Sequence, residues 1–405
     1  MKEKGSYNRR GFIKSTVIGA TGALFASRAI GQTTKEKAGK KFPEQKFIYR
    51  TLGNTGVKLP IVSMGVMRAD NPNLVAAALD AGIKHLDTAY GYQQGRNEEM
   101  IGKVVKERPR DSFFIATKMS GVPIDRETGQ FTKEATTEAF LEILNTSLKR
   151  LDLEYVDLLH IHKPRHREAA LFEPLLKAFE MAKKNGKIRF IGLSTHDNQP
   201  EVIQAAIDSK FYEVVLTSYN YTMDNRKELK QAIANAANAG LGVIAMKTMA
   251  GGFLDRERQK PVNAKAALKW ALQDTNIHTS IPGFTTFDQM AESLSVMEDL
   301  TLTEEEMNDL EKGKNVTGLY CQGCWQCLDQ CSQRLPIPDI MRAYMYTYGY
   351  RELEKARDLL LSLDLGKNVC EDCGNCLVNC AKGFNISEKI RDVIRLRNVP
   401  SDFIV

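Results

Sequence analysis

The chain has 405 residues, 43% of them hydrophobic, enough to bury a large core and to exclude a disordered protein. Its length accommodates one large domain beside a smaller one. The formal charge of +6 sits on lysines and arginines that alternate with acids, and no basic run is interleaved with aromatics, so no nucleic-acid partner is expected.

At the N-terminus, Asn8, Arg9, Arg10, Gly11, Phe12, Ile13 and Lys14 set two adjacent arginines, two apolar residues and a lysine ahead of an uncharged stretch from Ser15 to Ser27. This pattern resembles a twin-arginine export signal. The apolar stretch is too short to cross a hydrocarbon core of roughly 30 Å as a helix. Ala29 and Gly31 supply small residues for cleavage near Gln32. The resemblance implies a signal peptide over 1–31, a polar linker over 32–46 and a periplasmic mature protein with no stable membrane span. A basic tail beside an accidental apolar segment, or an uncleaved anchor, is the alternative. The twin-arginine route carries folded proteins, which suits a chain whose metal cofactor is inserted before export.

Gly53-Asn54-Thr55-Gly56 lies between short apolar runs within Phe47 to Leu59 and predicts a hairpin. Eight buried-looking strands follow, at Ile61 to Gly65, His85 to Ala89, Phe113 to Lys118, Val156 to His162, Arg189 to Thr195, Glu213 to Asn220, Gly242 to Thr248 and Thr279 to Phe284. Helical patterns separate them, among them Asn73 to Ala81, Thr136 to Arg150, Leu171 to Lys184, Lys227 to Ala239 and Ala264 to Leu272. Eight strand-helix units in about 250 residues predict an α/β fold, a closed parallel (β/α)8 TIM barrel over 47–312. A doubly wound open sheet would require Gly-x-Gly-x-x-Gly after its first strand, and none is there.

Chemistry in such a barrel belongs at the carboxyl ends of the strands. Asp87, Lys118 and His162 end the second, third and fourth strands, and Tyr92 lies just past Asp87. Here the sequence resembles the aldo-keto reductase family, over roughly Phe47 to Leu300. The resemblance is carried by Tyr49-Arg-Thr-Leu-Gly-Asn-Thr-Gly, Gly82-Ile-Lys-His-Leu-Asp-Thr-Ala, Asn97-Glu98-Glu99 and Gly186-Lys-Ile-Arg-Phe-Ile-Gly-Leu-Ser. It implies that Asp87, Tyr92, Lys118 and His162 form a catalytic tetrad. Carbonyl reduction builds negative charge on oxygen, which must be protonated or hydrogen-bonded. Tyr92 is the expected proton donor. Its phenol, ordinarily near a pKa of about 10, would be eased by the Lys118 ammonium. Asp87 would orient Lys118, and His162 would direct the carbonyl. His160, on the same strand face as His162, reads as an interior histidine.

The resemblance also implies a nicotinamide cofactor, NAD(H) or NADP(H), bound without a dinucleotide fold. Ser194 matches the carboxamide position at the end of the fifth strand, while the family's glutamine on the sixth strand is here Leu216. Met246 stands where many members stack an aromatic ring on nicotinamide, and Lys247 follows where it could neutralise the pyrophosphate. Gly283 and Gln289 replace the lysine and arginine of NADPH-specific relatives, which leans the expectation towards NAD(H). Glu292 is an expected adenine contact.

All eight cysteines lie beyond residue 320. Cys321, Cys324, Cys327 and Cys331 form Cys-x2-Cys-x2-Cys-x3-Cys, and Cys370, Cys373, Cys376 and Cys380 repeat it. These runs resemble bacterial two-cluster ferredoxins, in which the fourth cysteine of each run binds the other cluster. That implies two 4Fe-4S clusters, one on Cys321, Cys324, Cys327 and Cys380, the other on Cys370, Cys373, Cys376 and Cys331. Ser332 and Ala381 stand where such ferredoxins carry proline, and Pro338 to Leu363 looks helical, so a mainly helical ferredoxin-like domain is expected over 313–405. Zinc would prefer separated ligand pairs, and disulfides would be scattered across the fold.

The expected function is an exported oxidoreductase that interconverts a small carbonyl and an alcohol with nicotinamide, its clusters relaying single electrons to a redox partner. The alternative is a barrel that no longer turns over and serves as an electron-transfer or partner-docking module.

Overall fold

The computed structural model describes residues 47–125, 129–363, 365–370, 373 and 376–404. The signal-peptide and linker readings over 1–46 lie outside the described residues, which belong to one compact unit. No helix among the described residues is long and apolar enough to cross a membrane.

The predicted hairpin is present as β1 (Tyr49–Thr51) and β2 (Lys58–Pro60), with Tyr49 opposite Pro60. Its turn packs so closely on the following barrel that a Cβ on Gly53, φ +51°, would lie 2.3 Å from the backbone nitrogen of Gly242. Leu52 and Leu59 are buried with Phe114, Leu158, Leu216 and Ile244, so the hairpin plugs one end of the barrel with an apolar layer.

Eight parallel strands form the barrel: β3 (Met64–Gly65), β4 (His85–Asp87), β5 (Phe114–Met119), β6 (Val156–His162), β7 (Ile188–Thr195), β8 (Val214–Ser218), β9 (Gly242–Met246) and β10 (Thr279–Ser280). Each pairs with the next, and a parallel bridge from Val62 to Ser280 closes the ring, supported by a bond from Ser63 N to Ser280 O at 2.8 Å. The predicted barrel is thus the observed fold. The last strand is shorter than expected because Pro282 has no N–H to donate to a ladder. Helices such as Pro72–Asp80, Thr137–Leu151 and Ala264–Leu272 cover the outside. Thr136 and Asn263 cap two of them by accepting backbone N–H groups of Ala139 and Ala266.

Beyond the barrel the described chain is helical, with Ile337–Met345, Leu353–Ser362 and Ile386–Ile394 and a π-type turn at Tyr346–Tyr350. All nine residues of Ile337–Met345 are buried, Asp339 and Arg342 included. Those two charges are neutralised by loops at the strand carboxyl ends. Arg342 donates to both oxygens of Asp197 at 2.9 and 2.8 Å, and Asp339 accepts from Arg342 at 2.9 Å and also from Arg165. Arg68 reaches Glu352 at 3.1 Å. The C-terminal helices therefore roof the barrel mouth.

Candidate active site

Tyr92 opens a tight turn, Tyr92–Gly95, immediately after β4. Buried residues of the following helix brace this loop. The Asn97 amide accepts from Thr88 Oγ1 at 2.6 Å and donates to Val66 O at 2.8 Å, and Glu98 accepts from Thr117 at 2.7 Å and Arg150 at 3.2 Å. Lys118, on β5, donates from Nζ to Asp87 Oδ1, to Thr88 O at 2.7 Å and to Tyr92 Oη at 3.4 Å. The His162 ring stands edge-on to Tyr92 with centroids 6.2 Å apart. All four expected tetrad residues thus meet at one point of the mouth.

Burial, then the Asp87 carboxylate, pushes the Tyr92 phenol well above its ordinary pKa. Asp87 opposes the easing of this proton expected from Lys118. Asp87 neutralises the ammonium and is itself felt by the phenol, so the pair exerts little net positive field there. Burial also lowers Lys118 and raises Asp87, each opposed by the other's charge. His162 is held well below the usual range by burial and then by Lys163, Lys118, Lys355 and Arg342, so it is a neutral imidazole at pH 7. His160 is buried in the barrel interior, its ring against Gly192, where a Cβ would lie 2.3 Å from Nδ1.

Asp87, Tyr92 and His162 line a cavity of about 790 Å³. Met246, Lys247, Gly283, Gln289 and Glu292 line the same cavity. Thr285 and Thr286 bring the start of the helix Phe287–Ser295 to it, a ready seat for a phosphate. Ser194 does not reach the lining. It lies in register with His162 and Leu216, and its buried hydroxyl has no hydrogen-bond partner, an orphaned group of the kind a carboxamide would satisfy. Leu216 is buried in the apolar interior.

Several lining residues were not expected. Lys163 follows His162 with φ +67°, and His196 lies 5.9 Å from the His162 ring, centroid to centroid. Tyr346, Tyr350 and Lys355 enter from the C-terminal helices. The His-Lys-Pro run at 162–164 offered a local signal for Lys163. Nothing near Lys355 in sequence marks it.

None of the eight cysteines forms a disulfide. Cys321 is influenced by Cys327 and Cys380, and Cys327 by Cys324, Cys380 and, least, Cys331. Cys370 is influenced by Cys331, Cys376 and Cys373, and these four line a separate cavity of about 110 Å³. Cys380 of the second run thus neighbours Cys321 and Cys327 of the first, and Cys331 of the first neighbours Cys370 of the second. Burial pushes Cys321 and Cys327 up to about 12 and Cys370 to about 11, so bare thiolates are disfavoured without a cationic partner. Among the described residues no three His, Cys, Asp or Glu side chains form a site for a metal ion. A further small cavity between the two regions is lined by His196, Lys247, Tyr320, Cys321 and Arg342.

A model of the aldo/keto reductase family matches residues 57–266. The L-glyceraldehyde 3-phosphate reductase of Escherichia coli (strain K12) is 25% identical over 323 residues, covering 65% of this chain and 91% of the relative. An aldo-keto reductase of Mycobacterium sp. (strain KMS) is 29% identical over 280 residues, covering 65% and 93%. The L-galactose dehydrogenase of Arabidopsis thaliana is 26% identical over 321 residues, covering 67% and 97%. Among solved structures, the aldo-keto reductase AKR11C1 from Bacillus halodurans (holo form) shares the fold, with a TM-score of 0.54, 23% identity and coverage of 67% of this chain and 98% of that one.

Proposed function

The chain belongs to the aldo/keto reductase family and is an oxidoreductase, and we propose that it interconverts a small carbonyl and its alcohol with Tyr92 as general acid and base. The supporting observation is the contact of Lys118 Nζ with Tyr92 Oη at 3.4 Å beside the large cavity. A nicotinamide cofactor would supply or accept the hydride. Its binding would draw on Met246, Lys247, Gly283, Gln289 and Glu292, with Ser194 turned towards the carboxamide. The missing cations at Gly283 and Gln289 favour NAD(H).

In reduction, the neutral imidazole of His162 can donate one ring N–H to the substrate oxygen and hold the carbonyl. Tyr92, whose proton is retained through neutral pH, gives it to the developing alkoxide. The phenolate that results accepts from Lys118, whose ammonium stays oriented by Asp87 and Thr88 O. In oxidation the same proton moves back.

The same reading includes two 4Fe-4S clusters in the part of the chain over 313–405, on Cys321, Cys324, Cys327 and Cys380 and on Cys331, Cys370, Cys373 and Cys376. The nearness of Cys380 to Cys321 and Cys327, and the cavity lined by Cys331, Cys370, Cys373 and Cys376, support it. Cys321 borders the small cavity shared with His196 and Lys247, which also line the large one, a short route from cluster to cofactor. Hydride carries two electrons and a cluster passes one at a time, so coupling requires two successive steps. Export by the twin-arginine route, with a redox partner outside the cytoplasm, completes the proposal.

The test is Tyr92→Phe in anaerobically prepared full chain. Carbonyl reduction is expected to fall by about 10²–10⁴-fold with iron and acid-labile sulfide unchanged. Activity that survives the change removes Tyr92 as the acid.

A further inference from the structure

The geometry points to a second, anion-binding subsite at the substrate end of the cavity: the carbonyl substrate carries a carboxylate or phosphate a few atoms from its reacting carbon, held between Lys163 and Lys355. This rests on the oxidoreductase reading of the same cavity and adds to it the class of substrate.

Most cations at the mouth already have partners. Lys118 is bound to Asp87, Arg342 and Arg165 share Asp197 and Asp339, and Arg68 meets Glu352. Lys163 and Lys355 line the cavity, and neither ammonium makes an ion pair among the described residues. Glu352 and Asp358 act on Lys355 without an ion pair to it: Glu352 meets Arg68 at 3.1 Å, Glu354 faces Arg96 at 3.6 Å, and both Glu354 and Asp358 accept from Gln94.

Lys163 and Lys355 both act on the imidazole of His162. The Lys355 ammonium lies 4.6 Å from the centroid of the Tyr92 ring and 5.5 Å from that of Tyr346. Lys163 is held beside His162 by a left-handed backbone and by the following Pro164, with its N–H bonded to Ser194 O at 2.7 Å. The two lysines therefore flank the proton donor and the imidazole. Lys247 and Arg258, which line the same cavity, are the cations left for the pyrophosphate.

Two half-buried ammonium groups facing the same space repel each other and have lost part of their hydration. Burial, then Arg342 and to a lesser degree Lys355, bring Lys163 down to about 7 against Asp339 and Asp197; burial foremost, with Lys118, brings Lys355 down to about 8 against Glu352 and Asp358. An incoming anion relieves both penalties, and in a space roofed from water the charge-assisted hydrogen bonds are stronger than at a surface.

Succinic semialdehyde and its methyl ester differ only in the charge and serve as the probes, with the full chain at saturating nicotinamide cofactor. The acid is expected to exceed the ester in kcat/KM by about tenfold or more, the range of one charge-assisted hydrogen bond. Lys163→Met and Lys355→Met are each expected to remove most of that preference through KM. Equal use of the two aldehydes, or a preference that survives both changes, overturns the proposal. Should Lys163→Met fail to fold, the unmodified protein and Lys355→Met still decide. Calorimetric binding of the same pair with oxidised cofactor separates the two readings. Selective binding of the acid without turnover leaves the anion site standing and removes the carbonyl-reduction reading; turnover without selectivity does the reverse.

Discussion

Tyr92 lies between two ammonium groups, with Lys118 5.0 Å and Lys355 4.6 Å from its ring centroid. They act differently because only Lys118 is compensated, by Asp87. Replacing Lys118 with Met leaves Asp87 as an unpaired buried carboxylate beside the phenol. The expected result is a loss of kcat comparable to that of Tyr92→Phe, measured on the same aldehyde, because the phenolate formed by proton transfer has lost its donor. Lys163 gives the site a pH dependence. The groups acting on it are Arg342 and Lys355, which lower its pKa, and Asp339 and Asp197, which raise it, after burial as the main cause. Its value of about 7 means the ammonium is present below pH 7 and lost above it. The KM for succinic semialdehyde is therefore expected to rise as pH passes through 7 to 8, while that of the methyl ester stays flat.

Among the elements, β6 and β7 bring His162 and Ser194 together as register partners. Their fit is tight one turn of the pleat below, where His160 lies against Gly192. Gly192→Ala places a methyl in the imidazole and is expected to destabilise the chain by about 1–3 kcal/mol. Combining it with His160→Ala should recover most of that loss, read as a double-mutant cycle in thermal unfolding. The helix Ile337–Met345 is the other decisive element. Its Arg342, 5% exposed, is the shared partner of Asp197 and Asp339. Arg342→Leu leaves two buried carboxylates short of charge and should destabilise the chain by about 3–5 kcal/mol in denaturant unfolding.

At the scale of the whole molecule, the roof packs the helices that flank the cysteine segments onto the barrel mouth. The swapped ligand assignment makes a direct claim about chain segments far apart. Cys321→Ser and Cys380→Ser should each remove about half of the iron and abolish the same electron paramagnetic signal, whereas Cys370→Ser should abolish the other. Matching losses from Cys321 and Cys331 would instead assign each run to its own cluster.

The barrel could be read from the chain because strand and helix periodicities are local. The strand Val156–His162 and the helix Ala264–Leu272 stand where the apolar pattern predicts them, since β-branched runs and helical spacing need no distant partner. The tetrad was legible for the same reason: Asp87, Lys118 and His162 fall at strand ends, and closing the barrel brings strand ends together. The Tyr92 proton was not legible, because its affinity depends on how completely Asp87 cancels Lys118, a matter of distances and burial. Lys355 over the Tyr92 ring, Tyr346 at the cavity wall and Arg342 between Asp197 and Asp339 belong to a different order of information. The pairs Lys355 with Tyr92 and Arg342 with Asp197 join residues more than 140 positions apart along the chain. Such contacts arise only when the C-terminal helices dock on the mouth, and docking follows from the sum of many weak surface fits that no short stretch of sequence encodes.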